Sequence, residues 1–96
     1  GGLIGATRKR EVRHIGKTKV RILQLLCEEP MHGYGIRKRL KEKFGIRIST
    51  ATTYQHLHEL MRYGLVSRIL RSRGKRKRYY YIITESGKKL AEYAGI

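Results

Sequence analysis

The segment Leu60 to Thr84 holds no carboxylate and eight cations: Arg62, Arg68, Arg71, Arg73, Lys75, Arg76, Lys77 and Arg78. The chemistry open to such a stretch is the holding of a polyanion. Each cation can pair with a phosphate oxygen and release a counterion. Just ahead of it stand Ser49, Thr50, Thr52, Thr53, Gln55 and His56. Hydroxyls and the first amides of a helix take phosphate, and a glutamine amide can pair with adenine through two hydrogen bonds. The bland alternative for these polar residues is the solvent face of a helix.

Other chemistries find little support. All seven acidic residues are Glu, with no Asp among them. Paired-carboxylate catalysis and carboxylate-rich metal sites are thereby nearly excluded. His56 and His58 are two apart and diverge on a helix, while His14 and His32 have no partner at ligand spacing. Cys27 is the only cysteine, which removes any intrachain disulfide or thiolate cluster. It is expected to be a small core residue. No nucleophile–base pair, phosphate loop or metal set is present, so neither an enzyme nor a cofactor or metal is expected.

Twenty-three Lys and Arg against seven Glu give a formal charge of +16, which points to nucleic acid first and an anionic membrane second. The longest nearly apolar run, Ile22 to Cys27, is far too short to span a bilayer. The short apolar stretch Leu3–Ile4 precedes the basic residues, the reverse of a secretory signal. A cytoplasmic, nucleoid-associated protein without a membrane partner is expected.

Several elements are needed to position these groups. From Lys17 to Glu29, Val20, Leu23, Leu26 and Cys27 form one helical stripe, widened by Ile22 and Leu25 and ended by Pro30. A second helix opens at Gly33-Tyr34-Gly35, repeats Ile36, Leu40 and Phe44, and stops at Gly45. Ile46-Arg47-Ile48 alternates for one short strand. Ser49 caps a third helix, with Ala51, Tyr54, Leu57, Leu60 and Met61 as its inward set and Gly64 at its end. Leu65–Arg71 and Arg78–Thr84 are β-prone and flank a cationic turn containing Gly74. Thr84 caps a last helix, Glu85 to about Tyr93. The first 16 residues read as a basic arm or an extra helix, and residues 17–96 as one domain.

The predicted fold is mainly α with a small β-hairpin, in the order α-α-β-α-β-β-α, which describes a winged helix-turn-helix. The recognition helix falls at about 49–63 and the wing at about 66–84. The sequence also resembles the PadR-like transcriptional regulators. The resemblance rests on Pro30-Met31-His32-Gly33-Tyr34-Gly35-Ile36, Ser49-Thr50-Ala51-Thr52-Thr53-Tyr54, Gly64-Leu65-Val66, and Tyr80-Tyr81-Ile82-Ile83-Thr84-Glu85-Ser86-Gly87. It covers roughly Lys19 to Tyr93. Gln55 departs from the proline that the family often carries at this point.

What the resemblance implies is a homodimeric repressor. Effector pockets in the family are built largely from longer C-terminal helices, so these residues do not indicate a small-molecule effector. With the composition, it leads to a sequence-specific regulator on double-stranded DNA. Ser49, Thr50, Thr52, Thr53, Gln55, His56 and Arg62 are expected on the recognition helix, and Arg73, Lys75, Arg76, Lys77 and Arg78 on the wing. Arg8, Lys9, Arg10 and Arg13 are candidates for a minor-groove arm. Dimerisation is expected through Leu3, Ile4, Val12 and Ile15 or through Leu90, Tyr93 and Ala94. His32 is expected to support its turn, and the Arg37–Lys43 block to be a solvated face. The alternatives are a nonspecific chromatin or ribosomal protein and a module that binds protein partners.

Overall fold

The computed structural model describes residues 2–94, with side chains from Ile15 onward. Helix α1 (Gly2–Glu28) is interrupted at Gly16, whose φ of +84° only glycine adopts without strain. Strand β1 (Met31–His32) leads into α2 (Gly33–Phe44) and α3 (Thr50–Arg62). Strands β2 (Val66–Arg73) and β3 (Arg76–Ile83) form the hairpin, and α4 (Glu85–Ala94) follows. The sheet is antiparallel in the order β1-β3-β2.

The fold class expected from sequence holds, but the first strand is displaced. Ile46–Ile48 is an irregular loop. Two of its backbone groups are committed elsewhere: the Ile46 amide donates to the Leu40 carbonyl at 3.1 Å, and the Ile48 carbonyl accepts from Arg37 Nε at 2.9 Å. Its two isoleucines pack against the core instead. The strand that exists, Met31–His32, pairs with Tyr81 and Tyr80 and is too short to show any periodicity.

The core gathers Ile22, Leu23, Leu25 and Leu26 of α1 with Ile36, Leu40, Leu57, Leu60, Tyr81 and Leu90. Each buried leucine or isoleucine contributes about 1.5–3 kcal/mol by leaving water. Lys19 on α1 and Glu59 on α3 form an ion pair of 2.8 Å that links the two helices. Cys27, expected in the core, is exposed. The buried stripe runs through Ile22, Leu23 and Leu26, leaving Cys27 at its edge, where burial and the Glu92 carboxylate raise the thiol pKa. No described helix is long and apolar enough to cross a membrane.

Candidate nucleic-acid interface

Helix α3 presents its residues differently from the sequence expectation. Leu57 and Leu60 fix the inward side, and one turn back from each lie Thr53 and His56. Thr53 is 0% exposed, and its hydroxyl donates to the Ser49 carbonyl at 2.9 Å. His56 is half-buried and its Nδ1 has no hydrogen-bond partner. Thr53 and His56 therefore leave the set of base-reading candidates. Ala51 and Tyr54, expected inside, are exposed, and Met61 is half-buried. The outward stripe is Ala51, Tyr54, Gln55, His58 and Arg62, of which only Gln55 and Arg62 were among the expected contacts. The repeating signal of leucine four residues after Thr53 and His56 identifies the true inward side.

The first turn of α3 is built from hydroxyls. Ser49 Oγ accepts the Thr52 amide at 3.0 Å and donates to Thr52 Oγ1 at 2.9 Å. The Ser49 and Thr52 hydroxyls thus serve the cap, while Thr50 is exposed and free of such bonds among the described residues. The amides of Thr50 and Ala51 lie in the first turn, where a helix lacks internal acceptors and favours an anion. Beside this turn runs a groove lined by Tyr34, Arg37, Lys38, Lys41, Arg47 and Ser49. The block Arg37–Lys43 is therefore divided. Arg39 and Lys43 pair with Glu28 at 3.6 and 2.6 Å, while Lys38 and Lys41 line the groove.

The contact between α2 and α3 depends on Gly33. A Cβ there would stand 2.5–2.6 Å from three atoms of the Tyr54 phenol, so the ring lies directly on the glycine. His32, expected to support its turn, is the N-cap of α2, its Nδ1 accepting the Gly35 amide at 3.0 Å. Its ring meets Tyr80 edge-on at 5.6 Å, which ties the cap to the wing.

The wing turns over Gly74 and Lys75, with φ of +63° at Gly74, the position where a two-residue hairpin turn calls for glycine. Alternation along the strands then sorts the cations. Arg71, Arg73, Arg76 and Arg78 share one face with Tyr80. Lys77 lies on the other face, with Leu70, Tyr79 and Arg68, and the Arg68 guanidinium stacks 4.0 Å from the Tyr79 ring centroid. The expected wing set of Arg73, Lys75, Arg76, Lys77 and Arg78 thus occupies two faces and a turn. Among the described residues no carboxylate forms an ion pair with the wing cations. The side chains of Arg8, Lys9, Arg10 and Arg13 lie outside the described residues, as do those of Leu3, Ile4 and Val12.

The model of the transcriptional regulator PadR-like family matches residues 22–93, which takes in the core, α3 and the whole wing. The chain belongs to this family. PadR-like proteins are transcriptional regulators rather than enzymes. Among solved structures, Bacillus subtilis PadR in complex with operator DNA is 28% identical with a TM-score of 0.74. That match covers 81% of this chain and 46% of that one. A transcriptional regulator from Clostridium thermocellum is also 28% identical, with a TM-score of 0.72 over 81% of this chain and 76% of the other. A PadR family regulator from Clostridium difficile shares the fold at 23% identity and a TM-score of 0.77, over 83% and 84%. No curated protein matches the chain significantly. Among the described residues no cluster of metal-ligating side chains occurs.

The PadR-like domain should lose stability on acidification. Burial, and secondarily Arg78, holds the His32 pKa below its ordinary value; burial, then Lys19, does the same for His56. A histidine with a depressed folded pKa binds its proton more readily when unfolded. Its contribution is therefore full above about pH 6.5 and is lost as pH falls through the folded pKa. Glu28 and Glu59 are lowered chiefly by hydrogen bonds from Lys43 and Lys19, so their contributions fade only below about pH 4.5. Melting temperature should be level between about pH 7 and about pH 8 and begin to fall below about pH 6.5. His32→Asn, which keeps a short acceptor for the cap, should flatten that first decline. An unchanged slope would show that His32 is not a titrating group.

Proposed function

We propose that this PadR-like regulator binds double-stranded DNA sequence-specifically and acts as a homodimeric repressor. Helix α3 enters the major groove, and the wing lies on flanking backbone. The observation that carries this reading is the outward face of α3. Exposed uncharged and weakly basic groups (Ala51, Tyr54, Gln55, His58) lie on a helix whose start borders the cationic α2 groove and whose end leads into the arginine-rich wing. A nonspecific coating protein needs mainly Lys and Arg at that place. Bacillus subtilis PadR, 28% identical, was solved in complex with operator DNA, which supports the duplex as the ligand.

Two copies would place their α3 helices on half-sites about one helical turn, 34–36 Å, apart. Of the expected dimer residues, Ile15 and Leu90 are buried in the chain's own core and Tyr93 is exposed on α4, while the side chains of Leu3, Ile4 and Val12 lie outside the described residues. The helical stretch ahead of the Gly16 break is a separable basic element in this proposal, with Arg8, Lys9, Arg10 and Arg13 directed to the minor groove. The protein works in the cytoplasm on the nucleoid.

The test uses duplexes enriched from a random pool, compared with scrambled duplexes at fixed salt. Gln55→Ala with His58→Ala should weaken the enriched duplex by about 2–4 kcal/mol and the scrambled one far less. Thr53→Val, which keeps the buried shape, should leave the ratio unchanged. Arg76→Gln with Lys77→Gln should weaken both duplexes alike and lower the salt slope by about one per lost phosphate contact. A pool that yields no enriched sequence would establish the nonspecific alternative.

A further inference from the structure

The four wing arginines are placed more tightly than a strip of backbone contacts requires. Arg71 lies directly opposite Arg78, and Arg73 opposite Arg76, in the β2–β3 ladder. Like charges opposite one another destabilise a hairpin. All four leave the same face and, with Ser72 and Tyr80, line a concavity of about 360 Å³. The Arg71 guanidinium rests 5.5 Å from the Tyr80 ring centroid, which sets one donor at its floor. Lys75 sits in the turn and Lys77 on the opposite face, so neither belongs to the group.

Charge density separates two ways of satisfying these arginines. Opposed Cα atoms are about 5 Å apart and alternate residues of a strand about 7 Å apart, so four charges originate within about 5 by 7 Å. One strand of a duplex offers a phosphate every 3.4 Å of axis or so, and hence about two negative charges over that length. Half of the arginine charge stays unmatched. A free triphosphate, with up to about −2 on its terminal phosphate and one charge on each linked phosphate, brings about −4. The planar guanidinium fork suits such oxygens, since it pairs with them through two parallel hydrogen bonds.

We infer that the arginine face of the wing is a discrete oligophosphate site, which takes the linked phosphates of a free polyphosphate such as a nucleotide triphosphate and thereby competes with duplex DNA. The site stands on the arginine geometry alone; only the competition rests on the DNA-binding reading above. A ligand there neutralises both like-charge pairs and removes the wing from the duplex.

Calorimetric titration of the full chain with inorganic tripolyphosphate tests this, with orthophosphate and sulfate as probes at matched ionic strength. Saturable binding of one tripolyphosphate per chain is expected, at least about thirtyfold tighter than orthophosphate. Arg71→Gln with Arg78→Gln should weaken it about tenfold or more, and Lys75→Gln with Lys77→Gln less than about threefold at the same net charge. Circular dichroism confirms that both variants fold. Equal losses in the two variants, or titration without saturation, would overturn the site. Duplex binding by fluorescence anisotropy is then measured with and without tripolyphosphate. Displacement beyond that caused by sulfate at equal ionic strength supports the competition, and equal displacement refutes it. Tripolyphosphate binding by a chain that binds no duplex would instead refute the DNA reading and leave the site standing.

Discussion

Gly87→Ala is expected to lower the melting temperature by about 10–20 °C, a loss of about 2–3 kcal/mol. Gly87 is buried in the first turn of α4, where that helix crosses the end of the sheet. A Cβ there would overlap the Leu65 carbonyl oxygen and stand 2.6 Å from Ile83 Cγ1. The carbonyl cannot withdraw cheaply, because it accepts the Thr84 amide at 3.1 Å and so closes the corner between β2 and α4. Alanine favours a helix over glycine by about 1 kcal/mol, and this gain opposes the clash without matching it. Gly33→Ala meets an obstacle at similar distances, yet there it is the exposed end of a tyrosine that can swing aside. Its thermal cost should be much smaller. Thermal melts of both variants check the contrast, and a Gly87→Ala shift below about 3 °C would show that α4 moves freely at this corner.

Tyr81→Ala should cost about 3–5 kcal/mol, a large share of the 5–15 kcal/mol that holds a domain together. Three tyrosines follow one another in β3, and alternation with position gives each a different fate. Tyr79 is 43% exposed far out on the wing, Tyr80 is half-buried on the arginine face, and Tyr81 is 1% exposed in the core. Burial holds the Tyr81 phenol pKa above its ordinary value, against a smaller opposite pull from Arg68. Tyr79→Ala loses mainly its stacking with Arg68 and should cost less than about 1 kcal/mol. Urea unfolding of the two variants reads the difference directly. Comparable midpoints would mean that Tyr81 does not anchor the wing root.

Most elements could be read from sequence because local signals agreed with tertiary packing. Pro30, Gly45, Ser49, Gly64 and Thr84 each mark a helix end by a backbone requirement that no neighbour can override. The hairpin was legible for the same reason, through the glycine of its turn. What escaped was orientation. Ala51, Tyr54 and Met61 continue a spacing that reads as apolar, but the side chain that fills the core at that level is Thr53, a β-branched residue whose hydroxyl is satisfied within the cap. Composition marks such a threonine as polar, and only the helix's neighbours show that its methyl faces inward. The strand at Met31–His32 escaped because its evidence lies fifty residues away, in its pairing with Tyr80 and Tyr81. Cys27 was misplaced by the same limit, one position beyond a stripe whose edge is set by how α4 lies on α1.

The two residues of β1 have a mechanical consequence out of proportion to their length. They are clamped along the central strand of the sheet, and the second of them is also the cap of α2, on whose first residue the Tyr54 ring of α3 rests. The hairpin is therefore no independent paddle hinged to a helical body. A torque applied at its tip reaches the start of α2 through one peptide. In the proposed binding mode, the wing and the helical body would meet a duplex together, as the jaws of a fixed-gap gauge do.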